Sequence, residues 1–439
     1  MAIPEVSFFD FLARAPEIVK NPLPFHHDNF EKKGDTFRLQ LGLKKRVIFS
    51  RNPELLQYTL QKNQKNYTKT DIQTKEVAKY IGKGLLTAEG DLWKTQRKLI
   101  QPAFHKRHLA QLLGTMHQSI CKEITAFPVE TNVDITPLLG KLAFEVVAKA
   151  LFSGAVREKE IQRLQEVVEA SQKMLVRELR QPYLGWWFKY GGLLHKHLSM
   201  VREARQLIKA LILERKKSGV HRGDLLDMLL AARYEDGTAM AEAQMIDEIM
   251  ILFTAGHETT ANALSFTCQL LAKYPEYQEK IYQEILRLEK GELMEQLRQH
   301  QQIKNVLEES MRLYPPAYFI DRLNLEADEF GEMHFERGTS LLFSVMEIHR
   351  HKKYWKSPDD FKPERFEGPP NQHSGYYYPF GAGPRMCIGN NFAMFEMQLV
   401  IAELLKHFKI LPVNETIEIL PLITLKPKNA VVQFGKRSA

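Results

Sequence analysis

The residues with the clearest chemical potential lie in a glycine-rich loop near the C-terminus, around a single cysteine. Residues 380–389 read Phe-Gly-Ala-Gly-Pro-Arg-Met-Cys-Ile-Gly, and an apolar helical pattern follows them. Glycines allow backbone conformations that other residues disfavour, so this loop can approach a flat, bulky partner closely. A helix start supplies unpaired N–H groups and a positive dipole end, and both favour a thiolate. The pattern predicts that Cys387 binds a metal through its sulfur, with a buried structural cysteine as the alternative.

The spacing within this loop resembles the haem-binding signature of the cytochrome P450 family. That signature places a glycine three positions after a phenylalanine, a cysteine four positions later, and a second glycine two positions beyond the cysteine. Phe380, Gly383, Cys387 and Gly389 occupy these places, and Arg385 stands where the family usually has a basic residue. The resemblance implies haem b as the cofactor, with Cys387 as the iron ligand and the other four residues around the cofactor. A thiolate ligand on haem iron favours cleavage of the O–O bond.

A second unusual segment lies inside a long helical pattern that covers residues 241–273. Residues 255–260 read Ala-Gly-His-Glu-Thr-Thr, which places glycine and β-branched threonine where both weaken a helix. Such a segment predicts a local widening of the helix with a functional reason, or else a simple kink in a core helix.

This segment resembles the oxygen-activation motif of the same family, in which a glycine, a variable residue, an acid and an alcohol follow one another. The resemblance implies that Thr259 hydrogen-bonds dioxygen, that Glu258 helps to relay protons, and that Gly256 leaves room for the cofactor. His257 fills the variable position. We expect His257 to be a polar residue of the helix face and not an iron ligand.

Further residues match parts of the family that hold the haem in place. Trp93 and Arg97 fit its Trp-x-x-x-Arg pattern, and Arg322 lies ten positions beyond Arg312, where the family often has another arginine. Together with Arg385 they are the predicted donors to the haem propionates, because the planar guanidinium fork pairs well with carboxylates. Each arginine could instead be an ordinary surface residue.

Glu309 and Arg312 lie three positions apart on a predicted helix, where their side chains are neighbours. Exposed pairs of this kind are common and stabilise a helix by only a few tenths of a kcal/mol. In the family, this pair joins a later arginine in a buried three-way cluster, and Arg365 occupies the matching place. The resemblance implies a structural role, in which the cluster holds the loop before Cys387.

The remaining pattern indicates a mainly helical chain with small sheets. Apolar alternation predicts strands over residues 36–41 and 46–49, joined by a turn over Gly42–Lys45, and the helical spacing of apolar residues dominates residues 53–313. A last helix over residues 391–406 and short strands at residues 417–419 and 430–434 close the chain. The resemblance implies the P450 fold, which is mainly α with small β-sheets (α+β) and has a long central helix over the haem. We expect one domain over residues 1–439, with a β-rich part (1–52), a helical part (53–316) and a part with the cysteine loop and C-terminal strands (317–439).

The charge and the cysteine usage of the chain limit which partners and which cellular compartment are expected. The net charge of +8 is spread along the chain, which favours a solvated basic surface over nucleic-acid binding. The three cysteines are far apart and form no Cys-x-x-Cys pair, so neither a disulfide framework nor a zinc site is indicated and a reducing compartment fits. No apolar run approaches the roughly 18 residues that span a bilayer. We expect a monomeric, cytoplasmic protein without a membrane anchor.

The resemblance implies a haem-dependent monooxygenase that inserts one oxygen atom of O2 into a C–H bond of a small organic substrate, by hydroxylation or O-dealkylation. No flavin or iron–sulfur segment is evident, so a separate ferredoxin and an NAD(P)H-linked ferredoxin reductase are the expected electron donors. A basic patch is predicted to receive the acidic donor, formed by Lys94, Lys98, Lys106 and Arg107. The pocket residues implied by the resemblance are Ile251, Ala255, Tyr318 and Phe319. The alternatives are a peroxide-dependent haem-thiolate enzyme and a non-catalytic haem protein.

Overall fold

The chain folds into two compact units, each assembled from stretches that are far apart in the sequence. The computed structural model describes residues 3–41, 45–288, 291–369 and 372–437. The first unit contains the chain up to Ile72 together with Glu308–Cys387 and Ile419–Lys426. The second unit contains Gln73–Leu307, Ile388–Glu418 and the chain from Pro427. The N-terminal stretch therefore folds with residues 308–387.

Helices dominate the second unit and are shorter in the first. The α-helices are Phe8–Ala13 (α1), Ala15–Lys20 (α2), Leu23–Lys33 (α3), Pro53–Gln57 (α4), Ala78–Ile81 (α5), Gly90–Ile100 (α6), Lys106–Ile124 (α7), Ile135–Phe152 (α8), Glu158–Arg180 (α9), Gly185–Tyr190 (α10), Leu193–Ser218 (α11), Leu225–Ala231 (α12), Glu242–Lys273 (α13), Pro275–Leu288 (α14), Leu293–Gln299 (α15), Gln301–Leu313 (α16), Val345–Ile348 (α17) and Asn390–His407 (α18). Within the described residues, no helix combines the length and the apolar character that crossing a bilayer requires.

The strands form small sheets. They are Glu5–Val6 (β1), Thr36–Leu41 (β2), Lys45–Ser50 (β3), Tyr67–Thr68 (β4), Asn132–Asp134 (β5), Phe319–Asn324 (β6), Asp328–Phe330 (β7), Met333–Phe335 (β8), Ser340–Ser344 (β9), Phe408–Pro412 (β10), Glu418–Pro421 (β11), Leu425–Lys428 (β12) and Val431–Lys436 (β13). The first unit contains a six-stranded sheet in the order β1-β2-β3-β9-β6-β4. In the second unit, β10, β13 and β5 form a three-stranded sheet.

The N-terminal strand pair confirms the prediction from alternation. Phe37 and Leu39 point into a buried cluster, and Phe37 lies opposite Phe49 in the register of β2 and β3. The two rings stack with their centroids 5.3 Å apart. The predicted turn over Gly42–Lys45 falls mostly outside the described residues.

The long predicted helix is α13, and 21 of its 32 residues are buried. It packs against α8, where the rings of Phe253 and Phe144 stack with centroids 4.9 Å apart. The expected local widening is wrong, because residues 242–273 are α-helical without interruption. The hydroxyls of Thr254 and Thr259 each donate to the carbonyl four residues earlier, so these threonines supplement the backbone hydrogen bonds of the helix.

Candidate active site

The loop around Cys387 is closed by short backbone hydrogen bonds. The N–H of Cys387 donates to the carbonyl of Phe380 at 3.0 Å, and the N–H of Met386 donates to the carbonyl of Gly383 at 3.0 Å. Residues Gly383–Arg385 form one turn of 3-10 helix within the loop. The loop therefore has a defined conformation from Phe380 to the cysteine.

Glycine is required at one position of this loop for two separate reasons. Gly383 has a φ of +70°, a backbone conformation that other residues rarely adopt. A Cβ atom placed there would lie only 2.0 Å from the carbonyl oxygen of Leu60. The glycine thus allows the loop to lie directly on the backbone of residues 58–62.

The three cysteines differ sharply in accessibility. Cys387 is exposed, whereas Cys268 is buried in α13 and Cys121 is half-buried in α7. Burial raises the pKa of Cys268 to about 12. Burial, with a smaller contribution from Glu403, raises the pKa of Cys121 to about 11. Cys387 is therefore the sulfur best placed to meet a ligand from solution.

The three-way polar cluster inferred for Glu309, Arg312 and Arg365 is present in the first unit. Arg312 donates to both carboxylate oxygens of Glu309, at 2.7 and 2.9 Å, and both side chains are fully buried. Arg365 donates to the same carboxylate at 3.2 Å. The remaining Arg312 donors reach the carbonyls of His349, Pro358 and Asp360. A buried ion pair is tolerated only when its remaining polar atoms are satisfied in this way.

His349 connects this cluster to the loop before the cysteine, a role that the sequence did not reveal. Its carbonyl accepts from Arg312, and its Nε2 accepts from the backbone N–H of Tyr378 at 2.8 Å. The carbonyl of Tyr378 in turn accepts from the N–H of Gly381. Burial, together with the nearby Arg312 charge, lowers the pKa of His349 to about 3, so the imidazole is neutral.

In the second unit, the predicted oxygen-activation residues lie on a part of α13 that is open at one face. Ala255 is exposed and Glu258 and Thr259 are half-buried, although most of the helix is buried. The hydroxyl of Thr259 donates to the carbonyl of Ala255 at 2.8 Å. This face therefore carries a hydroxyl and a carboxyl group that a ligand can reach.

His257 and Gly256 point into the helix packing. His257 is buried, its Nδ1 lies 2.9 Å from the carbonyl of Phe253, and its ring contacts Phe144 edge-on. It is a core residue, which corrects the expectation of a polar helix-face position. A Cβ atom at Gly256 would lie 3.2 Å from the side chain of Val147, so this glycine permits close approach of α8.

The predicted propionate donors occupy both units. Trp93 is buried and Arg97 is half-buried on α6, where Arg97 Nε donates to Gln101 at 3.1 Å. In the first unit, Arg322 is buried on β6 and donates to the carbonyl of Asp321, and Arg385 is half-buried in the cysteine loop. Three of the four residues are arginines, which is the side chain that pairs best with carboxylates.

The predicted pocket residues differ in accessibility. Ala255 is exposed and Phe319 is half-buried, whereas Ile251 is 3% exposed and lies in the core. Tyr318 is buried, and its hydroxyl donates to the carbonyl of Leu422 at 2.6 Å. The structure therefore keeps Ala255 and Phe319 accessible but not Ile251.

Comparison with known proteins decides the family. The sequence profile of cytochrome P450 matches residues 7–434. The chain belongs to the cytochrome P450 family. Members of this family are haem-containing monooxygenases, so the protein is a cytochrome P450 monooxygenase that uses haem.

Individual relatives of this cytochrome P450 agree. It is 30% identical to a cytokinin hydroxylase of Arabidopsis thaliana over 439 residues, which cover 94% of this chain and 84% of the relative. It is 29% identical to cyclooctat-9-en-7-ol 5-monooxygenase of Streptomyces melanosporofaciens over 389 residues, covering 87% of this chain and 84% of that enzyme. The fold matches the crystal structure of the cytochrome P450DA heme domain with a TM-score of 0.88 at 21% identity, over 100% of this chain and 98% of that one. The predicted fold class is thereby confirmed.

The residues of this cytochrome P450 fit a haem. Cys387 offers an exposed sulfur, and the glycine at position 383 fixes a loop that a larger residue would disrupt. In the same unit, Arg322 and Arg385 carry planar guanidinium groups of the kind that pairs well with carboxylates such as the two propionates of haem. The donor set therefore combines one soft anionic ligand with cationic partners for an acidic macrocycle.

Proposed function

We propose that this cytochrome P450 uses O2 to insert one oxygen atom into a C–H bond of a small, largely apolar organic molecule, with electrons from a separate ferredoxin and its NAD(P)H-linked reductase. The observation that carries the proposal is the Glu258–Thr259 pair on the accessible face of α13. Enzymes of this type that use peroxide need no proton delivery to bound oxygen and have little use for an acid beside an alcohol.

Individual residues have distinct roles in this proposal. Cys387 ligates the iron, and Trp93, Arg97, Arg322 and Arg385 hold the propionates. Bound haem supplies the reduction of O2 and the cleavage of its O–O bond, which a thiolate ligand favours. The remaining chemistry of the chain is positioning and proton transfer.

Thr259 and Glu258 provide the proton transfer. The hydroxyl of Thr259 donates a hydrogen bond to the Ala255 carbonyl at 2.8 Å. Its oxygen can still accept a hydrogen bond from a ligand or from water. Rotation about χ1 redirects the hydroxyl proton to a ligand. Glu258 is half-buried and can exchange protons with solvent. It is therefore the proposed source of the proton that replaces one passed from Thr259 to a ligand.

The proposed substrate is apolar because the charged segment over residues 173–180 has its carboxylate paired with a lysine and two of its cations directed to solvent. Glu178 on α9 accepts hydrogen bonds from Lys79 at 2.8 Å and from the hydroxyl of Tyr80. Lys173 and Arg177 are exposed. Hydroxylation, the reaction for which one relative is named, is the proposed reaction type, and O-dealkylation follows when the attacked carbon carries an ether oxygen.

The electron donor is proposed to approach the basic patch of Lys94, Lys98, Lys106 and Arg107, all of which are exposed in the second unit. Lys94 and Lys98 pair with Asp91 and Glu235, so these carboxylates offset part of the positive charge of the patch. Lys106 and Arg107 are the first two residues of α7. Cations at a helix N-terminus oppose the helix dipole, so helix stability does not explain them.

Exchange of these cations tests the donor. Lys106→Glu with Arg107→Glu should slow reduction by a plant-type ferredoxin and weaken its dependence on ionic strength, while reduction by dithionite stays unchanged. Lys159→Glu is a matched control, because Lys159 is an exposed lysine in the first turn of α9. An unchanged ferredoxin rate in the double variant would place the donor elsewhere.

We further propose that the protein is cytoplasmic and monomeric. Its three cysteines are free thiols, and a cysteine that must ligate iron as a thiolate is best protected in a reducing compartment. Size-exclusion chromatography with light scattering tests the monomer, and a dimer mass at micromolar concentration would contradict it.

The reaction type is tested by comparing two oxidant systems on the haem-loaded protein. Substrates are first selected from an apolar library by the spin-state shift that follows displacement of water from the iron. Product formation is then measured with NADPH, ferredoxin reductase and ferredoxin under air, and separately with hydrogen peroxide. We expect turnover in the first system. Turnover with peroxide alone would favour the peroxide-dependent alternative, and failure of both with tight CO binding would favour a non-catalytic haem protein.

A further inference from the structure

Three metal-ligating side chains meet in the second unit, and a fourth lies beside one of them. His117 and Cys121 lie on α7, and Glu403 and His407 lie on α18. His117 Nε2 is 2.8 Å from Glu403 Oε1 and 3.5 Å from Cys121 Sγ. His407 Nε2 is 3.5 Å from the other oxygen of Glu403.

The helical repeat explains why these side chains converge. Residues four positions apart lie on the same helix face, so each helix presents two ligand atoms side by side. The helices α7 and α18 pack against each other, which brings a His-x-x-x-Cys pair beside a Glu-x-x-x-His pair. The ligand atoms of His117, Cys121 and Glu403 lie within 4.8 Å of one another.

We propose that His117, Cys121, Glu403 and His407 form a zinc-binding site that links α7 to α18. Two imidazoles, one thiolate and one carboxylate are a donor set that Zn²⁺ accepts with tetrahedral geometry. The site is independent of the haem and of the reaction proposed above.

The distances among His117, Cys121 and Glu403 approach those of a bound ion, whereas His407 is close to Glu403 alone and must turn towards the other two ligands. Zinc bonds of about 2.0–2.1 Å to nitrogen and about 2.3 Å to sulfur, at a tetrahedral angle, separate the two ligand atoms by about 3.5 Å. His117 Nε2 and Cys121 Sγ are separated by 3.5 Å. The His117–Glu403 distance of 2.8 Å is that of a hydrogen bond and must lengthen by about 0.5 Å, which a small rotation of the carboxylate achieves.

The site is reachable from solvent. The side chains of His117 and His407 are 30% and 47% exposed, so an ion can enter from solvent. Lys406 adds a positive charge near Cys121 and Glu403, which opposes cation binding and sets the expectation of moderate affinity. Without an ion the same residues form a hydrogen-bonded cluster.

The sequence did not indicate this site because its ligands are 286 positions apart along the chain. The usual sequence signal of a zinc site is two cysteines in one short motif. Here α7 contributes one cysteine and one histidine, and the other two proposed ligands lie on α18. The packing of α7 on α18 alone brings the pairs together.

The test uses untagged, haem-loaded protein dialysed against zinc chloride and then passed over a weak chelating resin. We expect one zinc per chain by mass spectrometry of the metals. Zinc K-edge X-ray absorption, which the haem iron does not obscure, should show one sulfur neighbour at about 2.3 Å and nitrogen or oxygen neighbours at about 2.0–2.1 Å. Absence of retained zinc, or zinc without a sulfur neighbour, would overturn the proposal.

Substitutions show whether the zinc occupies this cluster. Cys121→Ser and His407→Ala should each weaken zinc binding by more than about tenfold, since even outer partners of a metal contribute that much. His195→Ala is the matched control, because it removes an exposed histidine of α11. Haem content and circular dichroism establish that each variant is folded. Equal zinc affinity in Cys121→Ser, His407→Ala and His195→Ala would show that zinc binds at another place.

Discussion

The backbone N–H of Tyr378 donates a hydrogen bond to Nε2 of His349 at 2.8 Å, and this bond joins the polar cluster of Arg312 to the cysteine loop. The imidazole is fully buried and lies against the ring of Tyr377, with the centroids 5.0 Å apart and the rings tilted by 37°. It accepts this hydrogen bond only while it is neutral. The protonation state of one histidine therefore bears on the stability of the loop that carries Cys387.

Acid should destabilise the protein through His349. Its pKa is about 3 in the folded chain and about 6.5 when unfolded, so between these values the unfolded chain binds more protons. The contribution of this group is fully present above pH 6.5 and is lost as the pH falls towards 3, at up to about 1.4 kcal/mol per pH unit. Chemical unfolding of the wild type between pH 7 and pH 5 should show this loss.

His349→Gln isolates the effect, because glutamine can accept from the Tyr378 N–H but does not titrate. We expect the stability of this variant to fall by about 2 kcal/mol less than that of the wild type between pH 7 and pH 5. In both proteins, His26 and His300, whose pKa values burial also lowers, act with the same sign as His349, and Glu396, whose pKa burial raises, acts with the opposite sign. His195→Gln, at an exposed position, should keep the wild-type dependence, and identical curves for all three proteins would contradict the assignment.

Breaking the buried pair should be far more costly than breaking its exposed counterpart. Glu309 and Arg312 are fully buried, whereas Glu295 and Arg298 have the same spacing but lie 3.8 Å apart and more than half exposed. Arg312→Ala leaves a buried carboxylate and should cost about 3–5 kcal/mol, with little haem-loaded protein recovered. Arg298→Ala should change stability by less than about 1 kcal/mol. Thermal unfolding and haem content measure both, and similar losses would refute the structural role of the cluster.

Alanine at position 383 should disrupt the cysteine loop. Gly383 and Gly338 both have positive φ values, +70° and +77°, but only Gly383 has a backbone atom in the space of a Cβ. Gly338→Ala should cost about 1–2 kcal/mol from the backbone alone. Gly383→Ala should cost clearly more and reduce haem incorporation, because it also collides with Leu60. Equal stability and haem content in the two variants would show that the loop can move away.

Cys387→Ser should abolish the thiolate signature of the haem. The reduced CO complex should lose the red-shifted absorption band that a thiolate ligand produces, since serine provides no thiolate. Cys121→Ser keeps Cys387 and should retain the band. Retention of the band in Cys387→Ser would exclude this residue as the iron ligand.

Thr259→Ala should separate electron consumption from product formation. Loss of a proton donor near bound oxygen should lower the product-forming rate by about 10²-fold and release more hydrogen peroxide per NADPH. Thr254→Ala is a close control, because Thr254 is also half-buried on α13 and makes the same bond to the carbonyl four residues earlier. If both variants remained coupled, the proposed role of Thr259 would be wrong.

Local sequence patterns predicted much of the fold. The features that they did not predict depend on contacts between residues that are far apart in the chain. Alternation located β2, and apolar spacing located α13 and α18 to within one residue of their ends. The Glu-x-x-Arg pairs at positions 295/298 and 309/312 look alike in sequence, and contacts with residues 349–365 distinguish the buried one. The widening of α13 was wrongly inferred, because the threonine hydroxyls bond back to the helix and preserve its geometry.

The six-stranded sheet has a consequence for how the chain is made. Val47 of β3 pairs with Ser340 of β9, roughly 290 residues later in the chain. At 5–20 residues per second, a ribosome needs about 15–60 s to deliver the second strand after the first. Until the last quarter of the polypeptide emerges, the edge of β3 that pairs with β9 has no partner, and an unpaired strand edge of this kind promotes pairing with other chains.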